Sequence, residues 1–279
     1  MMKKIITYIA ITVILIAGNI TQGDLIGEAN SSGPVSTLYA TGPELEEMYV
    51  LYGTSVLDTW VKNHPGESPI AVIDTVRTSN QAYGGQPGAE YTLSGEFTGT
   101  TYPGYWEHYD GTTDGVYNYS VDYWGGVYRF DRDWTNPVYL FTTSFGVYST
   151  GITYVPINNS LWLSYYGGAE IENRSLTGEL LFSFSTVQSP TFLAMDYRDG
   201  TLWTASRSDN PLYQYSRTGS LLSSQIYLDP YGNEIFGGAF FGAEFPFPDG
   251  GPVPVPAPTA VILGILGLSV VGAKLRKFA

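Results

Sequence analysis

The strongest constraint on this chain is that it repeats itself. Residues 159–181, "NSLWLSYYGGAEIENRSLTGELL", return 41 positions later as "GTLWTASRSDNPLYQYSRTGSLL" (200–222). Leu161-Trp162 matches Leu202-Trp203, Thr177-Gly178 matches Thr218-Gly219, and Ile152 matches Leu193. Stepping along the chain by 41 or 42 residues gives one phased series: Val56, Phe97, Val138, Leu180 and Leu221. A period near 40 residues that holds several short strands is that of a β-propeller blade, a small sheet that must stack on neighbours to bury its faces. The last full unit reads as four strands, 191–197, 201–206, 212–216 and 220–227. Arg198-Asp199-Gly200, Ser208-Asp209-Asn210-Pro211 and Thr218-Gly219 supply the turns between them.

The ends of the series predict how the ring closes. Leu38-Tyr39 lies 164 residues, four periods, before Leu202-Trp203, so the first copy starts at the second strand of a blade. "NEIFGGAFFGAEF" (233–245) reads as one unpartnered first strand. Residues 234–241 are therefore expected to complete the blade begun by 38–61, a Velcro closure that removes the free sheet edges. In the same phase, Met48–Tyr52 is a strand followed by a Gly-Thr-Ser turn. The expected fold is all-β, a five-bladed propeller. Six blades is the alternative, because the copies align poorly between Thr78 and Tyr109. The composition agrees: 23 Tyr, 33 Gly and 17 Pro suit short half-buried strands joined by turns.

The chain has no Cys, which excludes disulfides, thiolate metal sites and a cysteine nucleophile. The formal charge is −13, but five of the basic residues sit at the termini. Residues 24–258 hold 8 basic and 26 acidic groups, a net of −18. Such a surface repels phosphate backbones, so no nucleic-acid partner is expected.

Both ends read as addresses. Residues 1–23 have two lysines, the apolar run Ile5–Ala17 and then small residues, the pattern of a secretory signal peptide with cleavage between Gly23 and Asp24. The propeller domain is assigned to 24–247, followed by a Pro-rich linker, 248–258, and a short apolar helix with a basic tail, 259–279. The apolar stretch Thr259–Ala273 is short for a roughly 30 Å hydrocarbon core and suits transient insertion in the inner membrane. Lys274, Arg276 and Lys277 keep the tail cytoplasmic and the domain outside. This arrangement resembles the PEP-CTERM sorting signal of Gram-negative bacteria, with Val255-Pro256-Ala257-Pro258 where the family has Val-Pro-Glu-Pro. The departure is Ala257 in place of Glu. The resemblance covers about the last 27 residues. It implies processing by signal peptidase and an exosortase-like enzyme, and delivery to the cell surface or extracellular matrix. It implies no activity for the domain.

Motifs for chemistry are sparse. No GxGxxG after a strand, Walker sequence, HExxH or GxSxG is present. His108, in "YWEHYDG", is a catalytic candidate or a core residue packed among tyrosines. Asp74, Asp196 and Glu234 fall near first strands, where a carboxylate pair facing the axis could serve glycoside hydrolysis. Asp196 is also read as a turn-initiating residue. "DGTTDG" (110–115) and "DRD" (131–133) are read as turns or as weak calcium loops, since neither has EF-hand spacing. Apart from that calcium, no cofactor is expected. Tyr105, Trp106, Tyr123 and Trp124 crowd one region and offer rings for glycan contact, or fill the space between blades. Two functional readings follow. One is an exported, non-catalytic binding or structural propeller with extracellular polysaccharide as a partner. The other is an extracellular carbohydrate-active enzyme using axial carboxylates.

Overall fold

The computed structural model describes residues 34, 36–53, 55–81, 85–206, 211–226 and 237–240. The signal segment with Gly23 and Asp24, the linker, the motif Val255–Pro258, the C-terminal helix and Glu234 lie outside the described residues. Strands β1 (Leu38–Thr41), β2 (Glu47–Tyr52) and β3 (Ser55–Val61) open the first blade. Blade 2 is β4 (Glu67–Val72), β5 (Val76–Asn80), β6 (Gly88–Tyr91) and β7 (Phe97–Tyr102). Blade 3 is β8 (His108–Thr113), β9 (Tyr117–Asp122), β10 (Gly126–Asp131) and β11 (Val138–Thr142). Blade 4 is β12 (Ser149–Val155), β13 (Ser160–Tyr165), β14 (Glu170–Ser175) and β15 (Leu180–Ser185). Blade 5 is β16 (Ala194–Asp196), β17 (Thr201–Ala205), β18 (Pro211–Tyr215) and β19 (Leu221–Ile226), and β20 (Gly237–Phe240) returns to blade 1.

Each blade is a four-stranded antiparallel sheet, and the first has the order β20-β1-β2-β3. The closing strand pairs with β1 in the register Leu38↔Phe240, Tyr39↔Ala239, Ala40↔Gly238 and Thr41↔Gly237. The Velcro closure expected from the sequence is therefore present. The sixth blade is not, among the described residues: residues 78–109 hold the end of β5, β6, β7 and the start of β8 within a five-sheet ring. The alignment fails there because the β5–β6 connection spans residues 81–87, whereas the equivalent β9–β10 connection spans only 123–125.

The repeat has a structural reason at each phased position. Val56, Phe97, Val138, Leu180 and Leu221 all lie on the outermost strands and are 40–50% exposed. The Leu-Trp pairs lie on second strands, where Trp162 and Trp203 are buried in successive interfaces between blades. Thr-Gly repeats because the turn before the outer strand needs a left-handed residue that also sits on a ring. Gly178 and Gly219 have φ of 88° and 89°. A Cβ there would meet Phe141 at 2.8 Å and Phe184 at 2.7 Å, both on the preceding blade. Glycine is the residue without the Cβ or the steric penalty.

Five apolar clusters fill the five interfaces. Phe192, Trp203 and Leu38 join blades 5 and 1; Met48, Ile70 and Tyr91 join blades 1 and 2; Tyr102, Phe130 and Trp134 join blades 2 and 3. Tyr119, Ile152 and Leu163 join blades 3 and 4, and Trp162, Leu193 and Tyr215 join blades 4 and 5. Burying such side chains contributes about 1.5–3 kcal/mol each, so the ring is held mainly between its sheets.

At the axis the inner strands leave backbone N–H groups with no ladder partner. One carboxylate collects them. Asp110, fully buried in β8, accepts hydrogen bonds from Gly111 (2.9 Å) and Gly238 (3.1 Å) on Oδ1 and from Ile152 (3.0 Å) and Leu193 (2.9 Å) on Oδ2. Four blades thus meet on one side chain. Ser68 Oγ ties blade 2 to the Tyr109 carbonyl. A second tier links β8 to β12 through Tyr154 N–H to Thr112 Oγ1 (3.0 Å), and β12 to β16 through Met195 N–H to Thr153 Oγ1 (3.1 Å). The reading of 110–115 as a turn is corrected here. Asp110–Thr113 belong to β8, and the turn is made by Asp114 and Gly115: Asp114 accepts N–H bonds from Val116 (2.8 Å) and Tyr117 (2.6 Å), and Gly115 has a φ of 92°.

Burial drives the Asp110 carboxyl pKa well above its usual range, while the four backbone donors pull it back. Each donor brings a proton, so the ionised form is the one the site fits. Asp110→Asn puts an NH2 group against N–H donors and should cost about 2–4 kcal/mol. Urea denaturation of the protein measures it; a loss within ±0.5 kcal/mol would mean the axial tie is dispensable.

Candidate functional site

The innermost strands all begin on one face of the ring, called here the entry face. Among the described residues, the loops that lead into them, and those joining second to third strands, lie on that face. From blade 3 come Glu107, just before β8, Tyr109 within it, and Tyr123 and Trp124 after β9; from blade 4 come Tyr148, just before β12, and Tyr166, after β13. Their backbones form a ladder: Tyr123 N–H to Glu107 O (2.9 Å), Tyr148 N–H to Tyr123 O (2.7 Å) and Tyr166 N–H to Tyr148 O (3.0 Å). The rings follow. Tyr123 packs edge-on against Trp124 (5.2 Å) and Tyr148 (4.9 Å), with Tyr109 at 6.3 Å, and Tyr148 lies 6.2 Å from Tyr166. Trp124 is 58% and Tyr148 41% exposed, so the strip presents ring surface to solvent.

The strip is held at a conformational cost. Gly66, Glu107 and Tyr148 are spaced by 41, each directly before an inner strand, with φ of 85°, 61° and 72°. Blades 2, 3 and 4 share a left-handed residue at this junction. Blade 2 supplies the glycine, whereas blades 3 and 4 place Glu and Tyr there at roughly 1–3 kcal/mol each. A hydrogen bond with Tyr148 keeps the Tyr123 hydroxyl pKa up at about 12, and Glu107 adds to the shift. Burial raises Tyr109, reinforced by Glu107 and Glu44.

Trp106, Tyr123 and Trp124 therefore reach the entry face. Tyr105 does not join the strip: its ring packs on Phe130 at 4.8 Å and its hydroxyl donates to Trp134 O (2.8 Å). It belongs to the interface between blades 2 and 3. His108 is buried beneath the same face, with Tyr128 at 5.2 Å and Phe130 at 5.8 Å. Its Nδ1 lies 3.0 Å from Ser120 Oγ, which gives its own proton to Asp110 O (2.7 Å). Nδ1 is therefore the protonated nitrogen of a neutral ring.

The carboxylates expected at the axis are elsewhere. Asp74 lies in the β4–β5 turn on the opposite face, with Arg77 at 2.8 Å and Arg132 at 3.3 Å. Asp196 ends β16 on that face, and its carboxylate accepts from Ser36 N–H (2.9 Å), Ser36 Oγ (2.8 Å) and Arg198 N–H (3.0 Å). It anchors the segment before β1. Asp131 accepts from Asn136 Nδ2 (2.7 Å), and Asp133 accepts from Thr135 N–H (3.0 Å). Among the described residues no three His, Cys, Asp or Glu side chains converge as metal ligands. The carboxylate at the axis is Asp110, which the sequence reading placed in a turn, and its four donors give it a structural task.

Desolvation lowers the His108 pKa from 6.5 to about 4. Below pH 6.5 the unfolded chain takes up a proton that the folded chain refuses, so this contribution to stability is full above that pH and is lost on descending towards pH 4. The loss is about 3 kcal/mol at most. His108→Phe should flatten that part of the pH profile between 6.5 and 4 in thermal or urea melts; an unchanged profile would assign the acid sensitivity to other groups.

No protein-family profile matches the chain, and no curated protein sequence is similar to it. Solved structures do match in shape. A chain of a nidogen/laminin complex superposes with a TM-score of 0.51 at 14% identity, over 73% of this chain and 97% of that one. A protein of unknown function from Bacteroides caccae gives 0.45 at 10% identity, over 70% and 73%. A catalytically inactive virginiamycin B lyase from Staphylococcus aureus with quinupristin gives 0.44 at 13%, over 72% and 69%. At such identities the first likeness carries the fold alone: by architecture, the central region of this chain is a β-propeller.

Proposed function

We propose that this is an exported protein whose propeller is a non-catalytic binding module, displayed at the cell surface or in the extracellular matrix of a Gram-negative bacterium. The aromatic strip of the entry face is its binding surface, and extracellular polysaccharide is its partner. The observation that carries this reading is the row Trp124-Tyr123-Tyr148, exposed at both ends and half-buried at Tyr123, kept in place by a left-handed Tyr148 and a left-handed Glu107. Strain retained on the face where rings meet solvent points to a task for those side chains. Flat rings stack on the apolar faces of sugars, and the carboxylates beside them accept hydroxyl hydrogen bonds. Binding without turnover is supported by the dispersal of Asp74 and Asp196, each engaged with its own partners. Export and sorting rest on the terminal segments, with Gly23-Asp24 as the signal cleavage point and Val255–Pro258 as the sorting motif.

A glycan array of the mature domain, followed by titration of the best hit, tests the binding surface. Trp124→Ala and Tyr148→Ala should each weaken binding by about tenfold, a loss of about 1.4 kcal/mol. Hydrolysis of the hit, abolished by Asp74→Asn or Asp196→Asn, would restore the enzyme reading. Sorting is tested separately by mass spectrometry of the surface form from a host with an exosortase. Loss of Lys274–Ala279 is expected; a surface form that keeps this tail would make the segment an ordinary anchor.

A further inference from the structure

The charged residues of the ring are divided between its faces. Every described arginine lies towards the opposite face. Arg132, Arg198 and Arg217 sit in its loops. Arg77 pairs with Asp74 there, Arg129 covers the Tyr117 ring at 4.2 Å, and Arg174 donates to Gly178 O (2.6 Å). The described loops of the entry face contain one lysine, Lys62, and it is buried. Its Nζ is held by the carbonyls of Gly42 (2.6 Å) and Glu67 (2.9 Å). The carboxylates of this face are divided: Glu67 is buried, accepting from Thr78 Oγ1 (2.6 Å) and the Tyr91 hydroxyl (2.9 Å), and Glu107 is half-buried. Glu44 is exposed in the β1–β2 loop, and Glu107 stands beside Tyr109 and Tyr123 close enough to perturb both. Glu107 Oε2 is enclosed by protein and receives no hydrogen bond.

Resting on the reading of the entry face as a polysaccharide site, we propose that its ligand is a cationic polysaccharide, a polymer of hexosamine units that carry free amines. A neutral glycan would use the rings and leave the charge of Glu107 and Glu44 unanswered. An acidic glycan would be repelled by those carboxylates and would find no exposed cation among the described loops of this face. An amino-sugar polymer meets both demands at once. Its ring faces stack on Trp124 and Tyr123, and its ammonium groups sit against carboxylates and the negative faces of tyrosine rings, the setting in which cations are held by aromatic side chains. The multiple charges of a polymer also suit a domain of net −18 over residues 24–258, which draws a cationic chain in from a distance.

The test compares oligomers that differ only in the amine, in mildly acidic buffer where free amines are charged. The full mature protein is titrated with β-1,4-linked glucosamine hexamer, its N-acetylated counterpart, a neutral glucose hexamer and a galacturonate hexamer. The glucosamine oligomer should bind at least about fivefold more tightly than its acetylated counterpart, and raising salt to about 0.5 M should erase the difference. Glu107→Gln keeps the side-chain shape and should weaken the glucosamine oligomer more than the acetylated one, so that most of the preference is lost. Glu107→Gly suits the left-handed backbone, so it should melt no lower than wild type and still lose the preference. Equal affinity for charged and acetylated oligomers, or stronger binding of galacturonate, overturns this inference and leaves the polysaccharide reading standing. Binding of none of the four overturns both.

Discussion

A ring of five sheets has one unavoidable problem: the inner edge of each innermost strand faces the axis, where no further strand can pair with it. Asp110 answers this with a single side chain. An ionised carboxylate is an acceptor only, with room for four donors, and here all four are backbone N–H groups, three of them from other blades. The geometry is reciprocal. The amides can approach one point only because the blades are packed at a fixed tilt, and the carboxylate can be buried only because the amides are there. The hydroxyls of Thr112 and Thr153 repeat the device one level down, with donors offset by 42 residues. The spacing that is visible as a repeat in the chain reappears as a spacing of hydrogen bonds around the axis.

Much of this architecture was legible in the sequence, because packing between equivalent blades imposes equivalent residues. The phased series fell on the five outer strands, and the Leu-Trp pairs fell on buried second strands. The closure was legible from arithmetic alone, since a first copy lacking its first strand demands a spare one later. Asp110 was not legible. An Asp-Gly pair is the commonest signal for a turn, and only tertiary convergence turns it into a strand residue with a buried charge. Its offset of 42 before Ile152 was present in the chain, but a hydrogen bond from backbone to side chain leaves no mark on the residue that donates.

The entry face was half legible. The crowd of aromatics between residues 105 and 124 marked blade 3, yet one of its members, Tyr105, turned inwards, and the strip is completed by Tyr148 and Tyr166 from the next blade. A signal for these did exist. At the spacing of Gly66, Glu107 and Tyr148, one copy has the residue the backbone prefers and two do not. A position where the glycine is given up, at a cost in stability, singles out side chains needed for something other than folding. The segregation of arginines belongs to the same account. Their placement becomes visible only when each loop is assigned to a face, and that assignment depends on the ring.

The register Leu38↔Phe240 places the chain's way into the domain directly beside its way out. Any load applied through the segment after Phe240 arrives first at a strand of four residues. That strand is joined to β1 on one side and, through the Gly238 amide, to the Asp110 carboxylate on the other. Force entering at that end of an antiparallel pair peels it open bond by bond, and shear across all the bonds together is avoided. A domain suspended from its C-terminal side therefore hangs by its own clasp, and the first amide to slip from Asp110 under tension is the one that keeps the circle shut.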